Sequence, residues 1–137
     1  LVNIPRNVPD DVLTLLATND GLCMVAFVSE FVSAEFASSL SQGEGNAPSP
    51  MTPKVTVEHV ADHIEHIRDV AGIDHVGIGA DFDGSPHMPS DLGDVSCYPL
   101  LMTVLAKRGW SSADLERLSS GNILRVLRSA EDAAELR

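Results

Sequence analysis

Apolar residues recur along this chain with two different periods. Val12, Leu13, Leu15 and Leu16 form a stripe at helical spacing, which predicts a helix over residues 9–18. Asn7 stands before it as a capping residue, Pro9 takes an early helical position, and Asp10 and Asp11 fill the first turn, where the helix dipole favours negative charge. Asn19-Asp20-Gly21 ends it. Residues 22–28 then run apolar without a break, as in a strand buried on both faces of a parallel sheet. Further on, Val57, Val60, Ile64, Ile67 and Ala71 recur at three- and four-residue steps, so a second amphipathic helix covers 55–70 and Gly72 stops it. Residues 74–79 enter a second strand, which leaves through the turn-rich Asp81-Phe82-Asp83-Gly84-Ser85-Pro86. A helix over 99–107 stops at Gly109. Ser111-Ser112-Ala113-Asp114 caps a short restart, and Gly121-Asn122 separates it from a last helix carrying Ile123, Leu124, Val126 and Leu127.

Helices alternating with buried strands mean an α/β protein with a parallel sheet. Two strands cannot make such a sheet alone. An eight-stranded (β/α)8 barrel takes about 250 residues, so the 137 residues read as its carboxyl-terminal portion, about the last two βα units plus terminal helices, all within one domain. The start at Leu1 rather than Met points the same way. Residues 38–53 hold Ser, Gly, Pro, Asn and Gln with few large apolar side chains, the composition of a flexible insertion.

Composition changes this picture little. With 44% hydrophobic and 21% charged residues the chain can bury a core. Nine Lys and Arg against 20 Asp and Glu give a net charge of -11, which repels a phosphate backbone and argues against nucleic acid as a partner. No apolar run reaches the roughly 20 residues of a membrane span and no leader peptide is recognisable, so the expected location is cytoplasmic. Cys23 and Cys97 match no disulfide framework or metal pattern and read as small apolar residues.

Asp81 is the first candidate for chemistry. It stands where the second strand ends, and barrel enzymes place catalytic groups at the carboxyl ends of strands. Glycines at 77, 79 and 84 let backbone or ligand approach closely there. An Asp after a strand is also a common turn residue, and Asp83 is expected to close the turn by a local side-chain bond. His59, His63 and His66 share one helix at a spacing that could chelate a metal, but they lie beside its apolar stripe, away from the strand ends, with no carboxylate to complete a set. They are not taken as ligands. His75 reads as a strand-start residue and His87 as a loop residue near the rim.

The run Val76-Gly77-Ile78-Gly79-Ala80-Asp81-Phe82-Asp83-Gly84 resembles the end of the barrel in renal-type (membrane) dipeptidases. Collinear with it are Pro89-Ser90-Asp91-Leu92-Gly93-Asp94-Val95-Ser96-Cys97-Tyr98-Pro99, Leu105-Ala106-Lys107-Arg108-Gly109-Trp110 and Gly121-Asn122-Ile123-Leu124-Arg125-Val126. Upstream, Pro5-Arg6-Asn7-Val8-Pro9-Asp10-Asp11 and Val60-Ala61-Asp62-His63-Ile64 fit as well. The resemblance covers nearly the whole chain outside residues 33–54.

What the resemblance implies is a metallodipeptidase with two zinc ions that activate a bridging water. Asp81 would contact the substrate's amino end and the attacking water. Arg6 would bind its terminal carboxylate, a task suited to a planar guanidinium fork. Phe31 takes the place of a Tyr that commonly helps hold the substrate, and Ala26 that of an Asn, so a hydroxyl donor worth about 1 kcal/mol is lost. The family's metal ligands, an H-x-D, a Glu and two His, are expected in segments before Leu1, leaving no metal ligand here. The implied partners are a dipeptide substrate and an upstream portion of the barrel, on the same or another polypeptide, with a homodimer left open. By itself the chain is expected to be inactive. A related barrel amidohydrolase acting on another amide, or an inactive remnant used for binding, are the alternatives.

Overall fold

The computed structural model describes residues 1–42 and 52–135. Its centre is a pair of parallel strands, β1 (Cys23–Val25) and β2 (Val76–Ile78), with Cys23 opposite Val76, Met24 opposite Gly77 and Val25 opposite Ile78. Backbone bonds from Gly79 N to Val25 O (3.0 Å) and from Phe27 N to Ala80 O (2.8 Å) carry the pairing past both strand ends. Parallel strands need a crossover of a dozen or more residues. Here it is made by α2 (Ser29–Val32), α3 (Ala34–Gln42) and α4 (Val57–Ala71).

α4 has the apolar stripe that its spacing predicts: Val57, Val60, Ala61, Ile64, Ile67 and Ala71 are all buried. Its first turn is capped from far along the chain, Val57 N donating to Asp91 Oδ1 at 2.8 Å, and it ends at Gly72, whose φ of 99° is open to glycine but strained for other residues. α1 (Asp10–Asn19) lies against α4 and buries Leu13. Just past the two strands in sequence, Phe27 and Phe82 meet Tyr98 and each other, edge-on or tilted, at ring separations of 5.6–6.1 Å.

α5 (Tyr98–Lys107) docks on α4 through Arg108, which holds Asp62 Oδ1 (2.8 Å), Glu65 Oε2 (2.7 Å) and Glu58 Oε2. Trp110 Nε1 donates to Glu65 Oε1 at 3.1 Å while Arg68 stacks on the indole. α6 (Ser112–Glu116) starts in the expected capping box of Ser111 and Asp114.

Four local expectations change. Asn7 does not cap α1, whose capping position is Pro9 with no side-chain bond; the Asn7 amide is used elsewhere. Gly121-Asn122 does not separate two helices. The chain passes through one wide turn, Arg117–Gly121, straight into α7 (Asn122–Glu135), because Asn122 is buried and donates to the carbonyls of Ile73 (2.7 Å) and Val76 (2.8 Å), pinning the helix to β2. Asp83 makes no side-chain bond among the described residues; the turn is closed by Gly84 N to Asp81 O at 3.0 Å. Of the expected insertion at 38–53, residues 38–42 are helical and 43–51 lie outside the described residues.

Candidate functional site

The carboxyl ends of β1 and β2 open onto a cavity of about 270 Å³. Arg6, Ala26, Phe31 and Asp81 all line it, so one site brings together side chains from three separated stretches of the chain. Each arrives by a different route.

Asp81 follows β2 directly and has φ 68°, in the left-handed region. Asp is found in that region more often than most non-glycine residues, but a residue so held remains unusual and such residues cluster at functional sites. The conformation turns the chain sharply away from the strand. The position of the Asp81 carboxylate depends on Gly84: a Cβ there would fall 2.1 Å from Asp81 Oδ1. Asp81 is exposed, and its carboxylate has no hydrogen bond or ion pair among the described residues.

Arg6 comes from the segment before α1. Its guanidinium carbon lies 5.2 Å from the centroid of the Phe31 ring, stacked in a cation–π arrangement, and it too has no ion-pair partner among the described residues. The stack is held from below by Asn7, whose Nδ2 donates both to Val2 O and to Phe31 O at 2.9 Å. That amide uses both protons to tie the Arg6 segment to α2. Sequence reasoning missed this role, and nothing in local spacing pointed to it.

The inner wall is apolar, with Leu13, Val25, Val32 and Ile67 on it and Cys23 half-buried among them. Burial pushes the Cys23 thiol above its ordinary range. The wall also carries His63 and His66. Together with His59 they serve three separate ends. Thr56 N donates to His59 Nδ1 (3.3 Å), His66 Nε2 meets Asp10 Oδ1 (2.7 Å), and His63 Nε2 is buried without a partner. Burial, the largest cause, lowers the His63 pKa to about 4. His75 Nδ1 bonds the Gly21 carbonyl at 2.8 Å, and His87 faces Glu30 outside the cavity. Among the described residues no three His, Cys, Asp or Glu side chains come together as a metal site. No described helix is long and apolar enough to cross a membrane.

The arrangement suits a small zwitterion. A free carboxylate and a free guanidinium border one partly apolar cleft, and each can take the opposite charge of a ligand without first breaking an internal ion pair.

A family model described as membrane dipeptidase (peptidase family M19) matches residues 1–137. Dipeptidase verJ of Clonostachys rogersoniana is 42% identical over 130 residues, 95% of this chain and 29% of that protein. Dipeptidase 3 of Rattus norvegicus is 38% identical over 129 residues, 94% of this chain and 23% of that protein. Among solved structures, a metallo peptidase from Rhodobacter sphaeroides with a phosphinate mimic of the dipeptide L-Ala-D-Ala is similar, with a TM-score of 0.73 and 26% identity over 90% of this chain and 31% of that one. The probable dipeptidase PvdM from Pseudomonas aeruginosa gives a TM-score of 0.77 at 25% identity, over 91% of this chain and 41% of that one. The chain spans less than a third of the length of the curated relatives it matches, 29% for the first of those named.

Proposed function

Since the chain belongs to the membrane dipeptidase family, we propose that it forms the substrate-facing part of a metal-dependent dipeptidase, as the carboxyl-terminal portion of a (β/α)8 barrel whose other strands come from outside these residues. The observation that carries the reading is the pairing of Arg6 and Asp81, opposite charges without internal partners, on one cavity of about 270 Å³.

On this reading the terminal carboxylate of a dipeptide lies on the Arg6 fork, where two parallel N–H···O bonds fix its orientation as well as its charge. Phe31 beneath the guanidinium supports one face of the planar fork and offers an apolar surface. Asp81 takes the ammonium group, which sets the scissile amide between the two ends, and its carboxylate would also accept a proton from the attacking water. The two zinc ions that the sequence resemblance implies would be held by the rest of the barrel. They would supply a polarised carbonyl and an activated water. The described residues do only the binding, orienting and proton-accepting.

The test uses the full-length protein that contains this segment, loaded with zinc. It should cleave glycyl-leucine, and blocking the carboxylate as an amide should raise KM about 100-fold, the scale of a lost bidentate charged contact. Arg6→Ala should raise KM for the free dipeptide as much and leave that for the amide unchanged. Equal KM values for acid and amide, or a zinc-loaded protein that leaves dipeptides intact while cleaving another amide, would overturn the reading in favour of a related barrel amidohydrolase.

A further inference from the structure

α2 is a single turn of helix, too short to hold its own orientation, yet it presents Phe31 to Arg6. Its position has to be set from outside. Asn7 secures one side through the Phe31 carbonyl. The other side faces the loop that Asp81 opens, and two links cross that gap. Ser29 N donates to His87 O at 2.7 Å, and one residue later Glu30 Oε2 faces His87 Nδ1 at 3.4 Å.

The side-chain link has unusual surroundings. Both facing atoms are removed from solvent, and neither has a hydrogen-bond partner among the described residues. The His87 side chain is only 15% exposed, its ring lying edge-on to Phe36 of α3 at 5.6 Å, and its own backbone N–H donates to Ser85 Oγ at 3.1 Å. A carboxylate oxygen out of water is costly unless a polar group faces it. Among the described residues Glu30 Oε2 and His87 Nδ1 face each other at ion-pair range, 3.4 Å, and have no other polar partner. The backbone bond from Ser29 fixes how far α2 stands from the loop; a second anchor one residue on also fixes its rotation, and with it the direction in which Phe31 points.

We propose that the Glu30–His87 pair is a positioning clasp that locks α2 to the Asp81 loop and so sets the Arg6–Phe31 stack at a fixed distance from Asp81. Neither residue touches the ligand. The proposal rests on the reading of Arg6, Phe31 and Asp81 as the two ends of a dipeptide site.

The experiment measures kcat and KM for glycyl-leucine in the full-length, zinc-loaded protein. His87→Leu should raise KM about tenfold with kcat within about twofold, the size expected for losing one buried polar contact that orients a binding group. His87→Asn puts an amide N–H in the place of Nδ1 and should return KM to within about threefold of the parent. Glu30→Leu should match His87→Leu, and the double variant should be no worse than either, since the two changes remove one contact. Glu30→Gln changes shape least and guards against misfolding; with Trp110 fluorescence unaltered it should still raise KM. Unmoved KM in Glu30→Gln and His87→Leu, or single effects that multiply in the double variant, would overturn the clasp. Arg6→Ala run in parallel separates the two failures. If it raises KM and the clasp variants do not, the clasp alone is wrong; if it too leaves KM unmoved, the site reading fails and the clasp with it.

Discussion

Replacing Gly84 with alanine should cost this protein much activity and little stability. A Cβ built on Gly84 falls 2.1 Å from Asp81 Oδ1, 2.6 Å from its Cγ and 2.7 Å from Oδ2, all inside any tolerable contact distance. The crowded group is the end of an exposed side chain, so the strain has two exits. The carboxylate can rotate away, at about 1 kcal/mol for an off-minimum rotamer. Alternatively the turn can open and give up the 3.0 Å bond from Gly84 N to Asp81 O, again about 1 kcal/mol net. Either way the melting temperature should fall by only a few degrees, by about 1 kcal/mol of stability. The carboxylate, however, must move by roughly 1 Å or more, and a displacement of that size in a reacting or orienting group costs about 100-fold in rate. The assay is kcat/KM for glycyl-leucine in the full-length protein, with Asp81→Asn as the benchmark for complete loss of the group. A Gly84→Ala protein within about threefold of the parent, beside an inactive Asp81→Asn, would refute the claim that the turn is what places the carboxylate. A fall of stability by several kcal/mol would refute it differently, by showing the turn to be structural first.

Three further outcomes follow from the same geometry. Asn7→Ala removes two 2.9 Å bonds, to Val2 O and Phe31 O, and should lower the unfolding free energy in urea by roughly 2 kcal/mol while raising KM; an unchanged KM would separate Asn7 from the site. Arg108→Ala leaves Glu58, Asp62 and Glu65 facing one another in a chain of net charge -11. Those carboxylates are partly solvated, so the loss should be about 1 kcal/mol and should shrink in 1 M salt; a salt-independent loss would mean packing rather than charge. His63, whose pKa lies near 4 in the fold against its ordinary 6.5, is held neutral, so its contribution is complete above 6.5 and is lost as pH falls from 6.5 towards 4. At full burial that shift corresponds to about 3 kcal/mol, and roughly half of it after allowing for the ring's partial exposure. His63→Leu should flatten the fall of the urea midpoint across that window, and an identical pH slope in both proteins would remove His63 from the account.

Apolar periodicity carried the reading of the fold as far as local rules reach. The stripe Val57, Val60, Ile64, Ile67 and Ala71 is the buried face of α4, because that pattern follows from which face must leave water. The unbroken run 22–28 does contain a strand paired in parallel, but only Cys23–Val25 are strand and Met24 is exposed, so it is not buried on both faces. Polar residues follow no period, and there the reading failed in one consistent way. Asn7 looks like a cap for the helix beside it, yet its amide bonds a carbonyl 24 residues away; Asn122 looks like a helix breaker after Gly121, yet it is the anchor of α7 on β2. Asp91, which caps α4 across 34 residues, carries no local mark at all. Each satisfies a backbone group that only the assembled fold brings near, so its partner is a property of tertiary structure. The candidate site obeys the same division. Asp81 is legible alone, as an acid at a strand end beside glycines. Arg6 and Phe31 are not: only the resemblance grouped them with Asp81, and only the fold stacks one on the other at 5.2 Å. That stack also changes what the phenylalanine means. Read as a substitution for tyrosine it is a lost hydroxyl; seen beneath the guanidinium it is a ring that keeps its face against Arg6, so what is missing is a donor to the ligand and not the support of the residue that would bind it.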